Sequence, residues 1–213
     1  MRNLIIVMSE DHNLGMSNLK DYESWIFEGN EHFHHREFAA ALVCYNNALE
    51  LYSDDSRIWD NRGVALSSLG HYDDAIQSFE VSLDLKPDNA RAWSNMGVSL
   101  AALKRLDEAV NCFNKALEID PENIDTFDNK GTALFSLSRY DEALDTFNQA
   151  LKLNSNDAKA WAGKGSVLKF MERYEEAIEC LEKFIELAPL DLANQNQQAW
   201  AMILDLKLKL KKE

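Results

Sequence analysis

Proline, cysteine, basic side chains and long apolar runs are all in short supply in this chain. It has three prolines and three cysteines among 213 residues, and 22 Lys and Arg against 36 Asp and Glu, for a net charge of −14. A nucleic-acid partner is not expected, because displacing counterions from phosphates needs a basic face. An anionic membrane surface is not expected for the same reason. The apolar run Leu4-Ile5-Ile6-Val7-Met8 is followed at once by Glu10 and Asp11. A secretory h-region needs roughly 7–15 apolar residues and a spanning helix about 20, so a cytoplasmic protein is expected. Those five residues are left to pack on the next part of the chain, to pair with another chain, or to precede a true start at Met8 or Met16.

Signatures of catalysis are missing too. The chain has no G-x-x-x-x-G-K-S/T, no G-x-S-x-G, no H-E-x-x-H and no dinucleotide G-x-G-x-x-G. Gly163-Lys164-Gly165-Ser166 has the look of a phosphate loop, but it falls inside an expected helix. The expectation is no enzyme, no catalytic residue and no cofactor.

What is present is a period of 34 residues, counted from Tyr22, Ser56, Ala90, Ile124 and Ala158. Position 8 of the copies is Gly29, Gly63, Gly97, Gly131 and Gly165, and position 4 is Trp25, Trp59, Trp93, Phe127 and Trp161. Position 20 is Ala41, Ala75, Ala109, Ala143 and Ala177. Five copies without insertion signal a repeat architecture. The spacing and residue types resemble the tetratricopeptide repeat (TPR) family, whose pattern runs W-x2-L-G-x2-Y and then A, F, A and P. The resemblance implies an all-α fold, a right-handed superhelical α-solenoid of antiparallel helix pairs, whose usual work is holding other proteins. The chain is then divided into an N-terminal extension (1–21), five repeats (22–55, 56–89, 90–123, 124–157, 158–191) and a C-terminal capping helix (192–213).

Within each copy one helix should cover about the first fourteen positions and a second the next fourteen. Position 34 is Asp55, Asn89, Asn123, Asp157 and Asp191, all good N-caps for the next helix. Pro87, Pro121 and Pro189 share position 32, where they end the preceding helix. The second helices open with Asp73-Asp74, Asp107-Glu108, Asp141-Glu142 and Glu175-Glu176, which complement the helix dipole. Arg105, Arg139 and Arg173 are expected near the C-terminal ends of first helices, again with favourable sign. Small residues at positions 8 and 20 let two backbones approach. Ala48, Ala116 and Ala150 at position 27 would meet the next copy, and Phe184 there in the last copy would meet the C-terminal helix.

The three cysteines, Cys44, Cys112 and Cys180, all fall at position 23, which Ser78 and Thr146 fill in the other copies. Packed helix axes lie roughly 8–10 Å apart, so residues two copies apart exceed the ~7 Å limit of a disulfide. They read as packing residues in a reducing compartment. Beyond Leu192, a stripe of Trp200, Ile203, Leu204 and Leu208 is expected to lie over the last repeat, with surplus leucines free to meet a second copy.

The resemblance also implies a concave surface lined by first helices, chiefly through positions 2, 5, 6, 9, 12 and 13. Position 6 is Asn61, Asn95 and Asn129 in three consecutive copies, flanked by Phe27 and Gly163. An amide both donates and accepts, so a row of them can hold the backbone of an extended peptide. The row is similar to the asparagine ladder of the repeats in O-linked N-acetylglucosamine transferases. The plainer alternative, drift at a solvated position, stays open. Arg57, Arg91, Lys159 and Lys169 face Glu23, Asp60, Asp125 and Asp128, with Phe33, Phe135 and Phe170 as apolar anchors and Val64 and Val98 as a drier middle. That mixture suits a peptide or partner helix better than a small molecule. The carboxylate clamp of the family's chaperone-binding branch is not expected. Its five positions read Ile26, Asn30, Asn61, Arg91 and Asn95, and only Asn30 and Asn61 match outright.

In the run Glu31-His32-Phe33-His34-His35, His32 and His35 lie three apart with Glu28 a turn before His32. Yet His32 holds position 11, which is Leu66, Leu100, Leu134 and Leu168 elsewhere, and no further ligand arrives at metal spacing. It reads as a substituted core residue, and no metal is expected. The functional reading is a non-enzymatic scaffold or adaptor binding a protein or peptide partner in the groove. The groove residues are Asn30, Phe33, Arg57, Asn61, Arg91, Asn95, Asn129, Phe135, Lys159 and Lys169. The alternative is a self-associating assembly unit, a homo-oligomer built through the terminal segments.

Overall fold

A computed structural model describes residues 7–188 and 193–211. The described residues are helical throughout and contain no strand, and they fall into two compact units, Met1–Leu103 and Lys104–Glu213. The first unit holds α1 (Val7–His34), α2 (Phe38–Leu51), α3 (Ser56–Ser68), α4 (Tyr72–Leu85) and α5 (Ala90–Ala102). The second holds α6 (Leu106–Ile119), α7 (Ile124–Ser136), α8 (Tyr140–Leu153), α9 (Ala158–Phe170), α10 (Tyr174–Leu187) and α11 (Ala193–Leu210). Within each unit every helix packs on the next in sequence, and α3 also touches α5, as α7 touches α9. The all-α class of tandem helix pairs implied by the resemblance is the one observed.

The helix starts come from the caps. Asp55, Asn89, Asn123 and Asp157 sit in extended backbone, and each side chain accepts an amide N–H from the first turn of the helix it precedes. Such a cap contributes about 1 kcal/mol. Asp191 and Pro189 lie outside the described residues. Helices α4 and α6 end at Leu85 and Ile119, just before Pro87 and Pro121. The tryptophans at position 4 have a polar task beside their packing. Trp59, Trp93 and Trp161 donate their indole N–H to the carbonyls of Ser53, Pro87 and Ser155, at 2.7, 3.0 and 2.9 Å. Each bond ties a first helix to the loop that feeds it.

Position 15 closes the first helix of every copy with a left-handed residue: Arg36, Gly70, Lys104, Ser138 and Glu172, with φ between 59° and 82°. Only one of the five is glycine. The next residue donates its N–H to a carbonyl one turn and more back, as in His71 to Leu66, Arg139 to Leu134 and Arg173 to Leu168, closing a Schellman motif. Arg105, Arg139 and Arg173 lie just past the C-terminal ends of first helices, as expected, but they are also the N-cap residues of α6, α8 and α10. Their charge is unfavourable at that end of the dipole, and each is balanced by a two-pronged pair with Glu108, Glu142 or Glu176 three residues on. The acidic pairs do lie in the first turns of the second helices.

The core is built from small residues facing large ones. All five position-20 alanines are fully buried. A Cβ at Gly63 would fall 2.6 Å from the Phe79 ring, and one at Gly131 would fall 2.8 Å from Phe147. Both rings are almost fully buried, and the close approach of helix to helix calls for glycine at these two positions. The three cysteines are buried and free.

Two expectations about the ends are corrected. Helix α1 does not begin at the first repeat. It runs 28 residues from Val7, because no proline interrupts the chain there and extending a helix needs no new nucleus. On α11 the face turned to α10 consists of Ala199, Ile203 and Leu206, in one cluster with Phe184, while Trp200, Leu204 and Leu208 are 55%, 63% and 51% exposed. Two apolar stripes one residue out of phase run along this helix, and the narrower one with Ala199 allows the closer approach.

Candidate interaction surfaces

In the first unit α1, α2, α3 and α5 enclose a cavity of about 370 Å³ lined by Asn30, Phe33, His34, Tyr45, Arg57, Asn61, Val64 and Arg91. Its polar wall is a continuous chain of hydrogen bonds. Tyr45 Oη donates to Asn30 Oδ1 at 2.9 Å, and Asn61 Nδ2 donates to the same oxygen at 3.1 Å. Arg91 Nη2 then donates to Asn61 Oδ1 at 3.2 Å, while Arg91 Nε binds Asp60 Oδ2 at 2.8 Å. Asp60 is fully buried, and its carboxylate is the counter-charge that holds Arg91. Burial pushes the Tyr45 hydroxyl up to about 12, which keeps it a donor at neutral pH.

Arg57 is fixed in turn by Asp55, through Nε at 3.0 Å and Nη2 at 2.5 Å. Asp55 also accepts from the Tyr22 hydroxyl of α1. Burial works against the Asp55 charge, but the bonds from Arg57 and Tyr22 outweigh it and hold the carboxyl below its ordinary range. With Asn30 Oδ1 and Asn61 Oδ1 used internally, the lining residues keep donors to spare: Asn30 Nδ2 and guanidinium nitrogens of Arg57 and Arg91. Such a wall suits peptide carbonyls and carboxylates.

In the second unit a cavity of about 350 Å³ lies among α7, α8, α9, α10 and α11, lined by Thr132, Phe135, Phe147, Ala158, Lys159, Ala162, Gly163, Ser166, Phe184 and Gln195. It is mainly apolar. Gly163 opens it, since a Cβ there would fall 2.4 Å from the Phe147 ring. At its edge Phe135 meets the exposed Phe170 ring edge-on at 5.1 Å, and Tyr140 stacks on Phe170 at 5.8 Å. Lys159 bonds to Asp125 at 3.4 Å. Asp128 is 7% exposed, and neither carboxylate oxygen has a donor. Burial first, and then the Asp157 carboxylate opposite, raise it to about 7.

Of the residues expected in a groove, Asn30, Phe33, Arg57, Asn61 and Arg91 meet in the first cavity, and Phe135 and Lys159 line the second. Asn95 on α5, with Asn129 on α7 and Lys169 on α9, is half-buried and lines neither cavity. The sequence pattern did not point to Tyr45, Phe147 or Phe184, because groove positions were sought on first helices only. For Tyr45 and Phe147 the signal was the pairing of a glycine at position 8 with an aromatic at position 24, and for Phe184 it was an aromatic at position 27, where three other copies carry alanine. Among the described residues one group also has the makings of a metal site. Glu28 and His32 of α1 and Cys44 of α2 place their ligand atoms within 4.8 Å of one another.

Residues 56–89, 88–156 and 158–189 match the tetratricopeptide repeat family. The human "Small glutamine-rich tetratricopeptide repeat-containing protein beta" is 45% identical over 53 residues, which is 25% of this chain and 17% of that protein. The chain thus matches only a small part of the length of its curated relatives. Among solved structures, MamA of Desulfovibrio magneticus RS-1 superposes with a TM-score of 0.74 at 18% identity, covering 78% of this chain and 94% of the other. YrrB, described as a TPR protein with an unusual peptide-binding site, superposes with a TM-score of 0.67 at 24% identity, covering 89% of this chain and 91% of the other. Helix pairs, caps, glycine–aromatic contacts and these matches agree, and the chain belongs to the tetratricopeptide repeat family.

Proposed function

We propose that this chain is a non-enzymatic cytoplasmic scaffold that holds an extended segment of another protein against the cavity of α1, α2, α3 and α5. The observation that carries this is the Asn30–Asn61–Arg91 chain of hydrogen bonds, pre-organised by Tyr45 and Asp60, with donors to spare on residues that line a cavity. A peptide backbone offers carbonyls at regular spacing, and a pre-set row of donors meets them at little entropic cost. The five copies between residues 22 and 191 form the scaffold, with Asn95 and Asn129 continuing the amide row along the sequence. The peptide-binding site described for YrrB supports the reading by likeness of fold.

The test is a pull-down from the native source with wild type beside Asn61→Ala/Asn95→Ala/Asn129→Ala. Capture by wild type alone, with both proteins folded by circular dichroism, is the expected result. Equal capture by both would sink the amide row as the binding element.

A second reading rests on α11. Its outward stripe of Trp200, Leu204 and Leu208 is apolar at the i, i+4, i+8 spacing by which helices pair. Self-association through this face predicts a mass in solution that falls to the monomer in Leu204→Lys. A monomeric wild type would remove the reading.

A further inference from the structure

We propose that Glu28, His32 and Cys44 form a three-ligand site for a divalent transition metal of the zinc class, clamping α1 to α2. Glu28 and His32 are one turn apart on α1, with His32 Nε2 3.9 Å from Glu28 Oε1. Cys44 comes from α2, carried in by the close approach at Gly29, where an added Cβ would fall 3.1 Å from the Cys44 Cβ. Cys44 is buried, at 4% exposure, and its thiol makes no hydrogen bond among the described residues. On the other side of the imidazole, His32 Nδ1 is 2.6 Å from Glu37 Oε2. A carboxylate at Nδ1 keeps the proton there, which leaves the Nε2 lone pair aimed at Glu28 and Cys44. This is the carboxylate–histidine support found behind zinc ligands. One sulfur, one imidazole nitrogen and one carboxylate oxygen form a donor set that suits zinc.

The other copies show what normally occupies this spot. In the second copy position 7 is Arg62, whose Nη1 donates to Ser78 Oγ at position 23, at 2.6 Å. In the fourth and fifth copies position 7 is Lys130 and Lys164, opposite Thr146 and Cys180, and position 11 is leucine. A cationic side chain thus bonds to position 23 in the second copy, a lysine stands at position 7 in the fourth and fifth, and the third carries Met96 there. In the first copy that place holds Glu28, and position 11 holds a histidine in place of leucine. Three electron-pair donors then converge with no cation of the protein between them, and a metal ion supplies it. Zinc bonds of ~2.0–2.3 Å require the three atoms to draw in by about an ångström, which the exposed and flexible Glu28 side chain permits. Three protein ligands leave a fourth position for water or for a ligand from a partner.

Titration of the full-length, tag-free chain with Co(II), followed by displacement with Zn(II), tests this. Expected are one ion per chain, a thiolate-to-cobalt absorption band in the near ultraviolet, and a higher melting temperature with the metal bound. Cys44→Ser removes the band, and His32→Leu weakens binding by more than the roughly 10–100-fold expected of Glu37→Gln. Both variants carry residues that other copies hold at the same positions, Ser78 and Leu66. Glu28→Gln, at an exposed position, tests a ligand without touching the core. The proposal is overturned if no thiolate band forms, or if binding is unchanged in Glu28→Gln and His32→Leu. It is equally overturned if binding is lost only when exposed His34 and His35 are replaced.

Discussion

Asp128 should make this protein less stable as the pH rises. Its carboxyl is buried on α7 against the Asp157 side chain, which already accepts the N–H groups of Lys159 and Ala160 as the cap of α9. Asp125 adds to the repulsion, and Lys159 relieves only part of it. With both carboxylates ionised, neither Asp128 oxygen finds a donor. A single proton between them makes a hydrogen bond and removes a charge. The folded carboxyl, at about 7, lies above its ordinary 3.8, so the folded chain binds the proton more tightly than the unfolded one. Stability is then full at low pH and falls as pH rises from about 4 to about 7. Three decades at ~1.4 kcal/mol each set an upper bound of roughly 4 kcal/mol, and solvent reaching the pair reduces it to about 1–2 kcal/mol. Asp128→Asn removes the charge and supplies a donor to Asp157. Urea unfolding of both proteins, followed by circular dichroism at about pH 5 and about pH 8, should show the variant gaining about 1–2 kcal/mol on wild type only at the higher pH. The same difference at both pH values would refute the reasoning, as would a variant that is weaker at both.

Gly63→Ala drives a methyl group into the Phe79 ring and should cost roughly 1–3 kcal/mol, whereas Gly165→Ala meets Leu181 Cγ only at 3.1 Å and should stay within about 1 kcal/mol of wild type. Thermal melts of the pair check this. Ser138→Gly relieves a left-handed residue and should stabilise by about 0.5–1 kcal/mol, since ~1–2 is released against ~0.4–1 of unfolded-chain entropy; denaturant midpoints report it. Arg91→Ala leaves the buried Asp60 charge alone and should destabilise by about 1–3 kcal/mol, with most of that recovered by Asp60→Asn in the same chain. A double-mutant cycle measures the coupling.

The features legible in the sequence were those that depend on chain-local chemistry or on the period itself. Asp55, Asn89, Asn123 and Asp157 are caps because of their own side chains, and the position-20 alanines are buried because five copies repeat them. What escaped depends on contacts made across helices. The left-handed Lys104, Ser138 and Glu172 carry no glycine signal, so their backbone conformation cannot be read from residue type. The two stripes of α11 differ by one residue, and only contact with Phe184 and its neighbours selects Ala199–Ile203–Leu206. Glu28 and His32 were visible as a pair, but Cys44 joins them only once α1 and α2 close at Gly29. Half of the expected groove residues gather in the first cavity because they come from facing helices of one unit. Tyr45 joins them from the second helix of its pair, outside the groove positions of the first helices.

The central claim is that the cavity bounded by Asn30, Asn61 and Arg91 holds a segment of another protein. A photo-activated benzophenone residue placed at His34, which is exposed and lines that cavity, tests it directly when compared with the same group at Glu50, exposed elsewhere on α2. In extract from the native source, a discrete cross-linked partner is predicted from position 34, absent from position 50, and lost when Asn61→Ala is added. Equal cross-linking from both positions, or an unaltered product in the Asn61→Ala chain, would contradict the account.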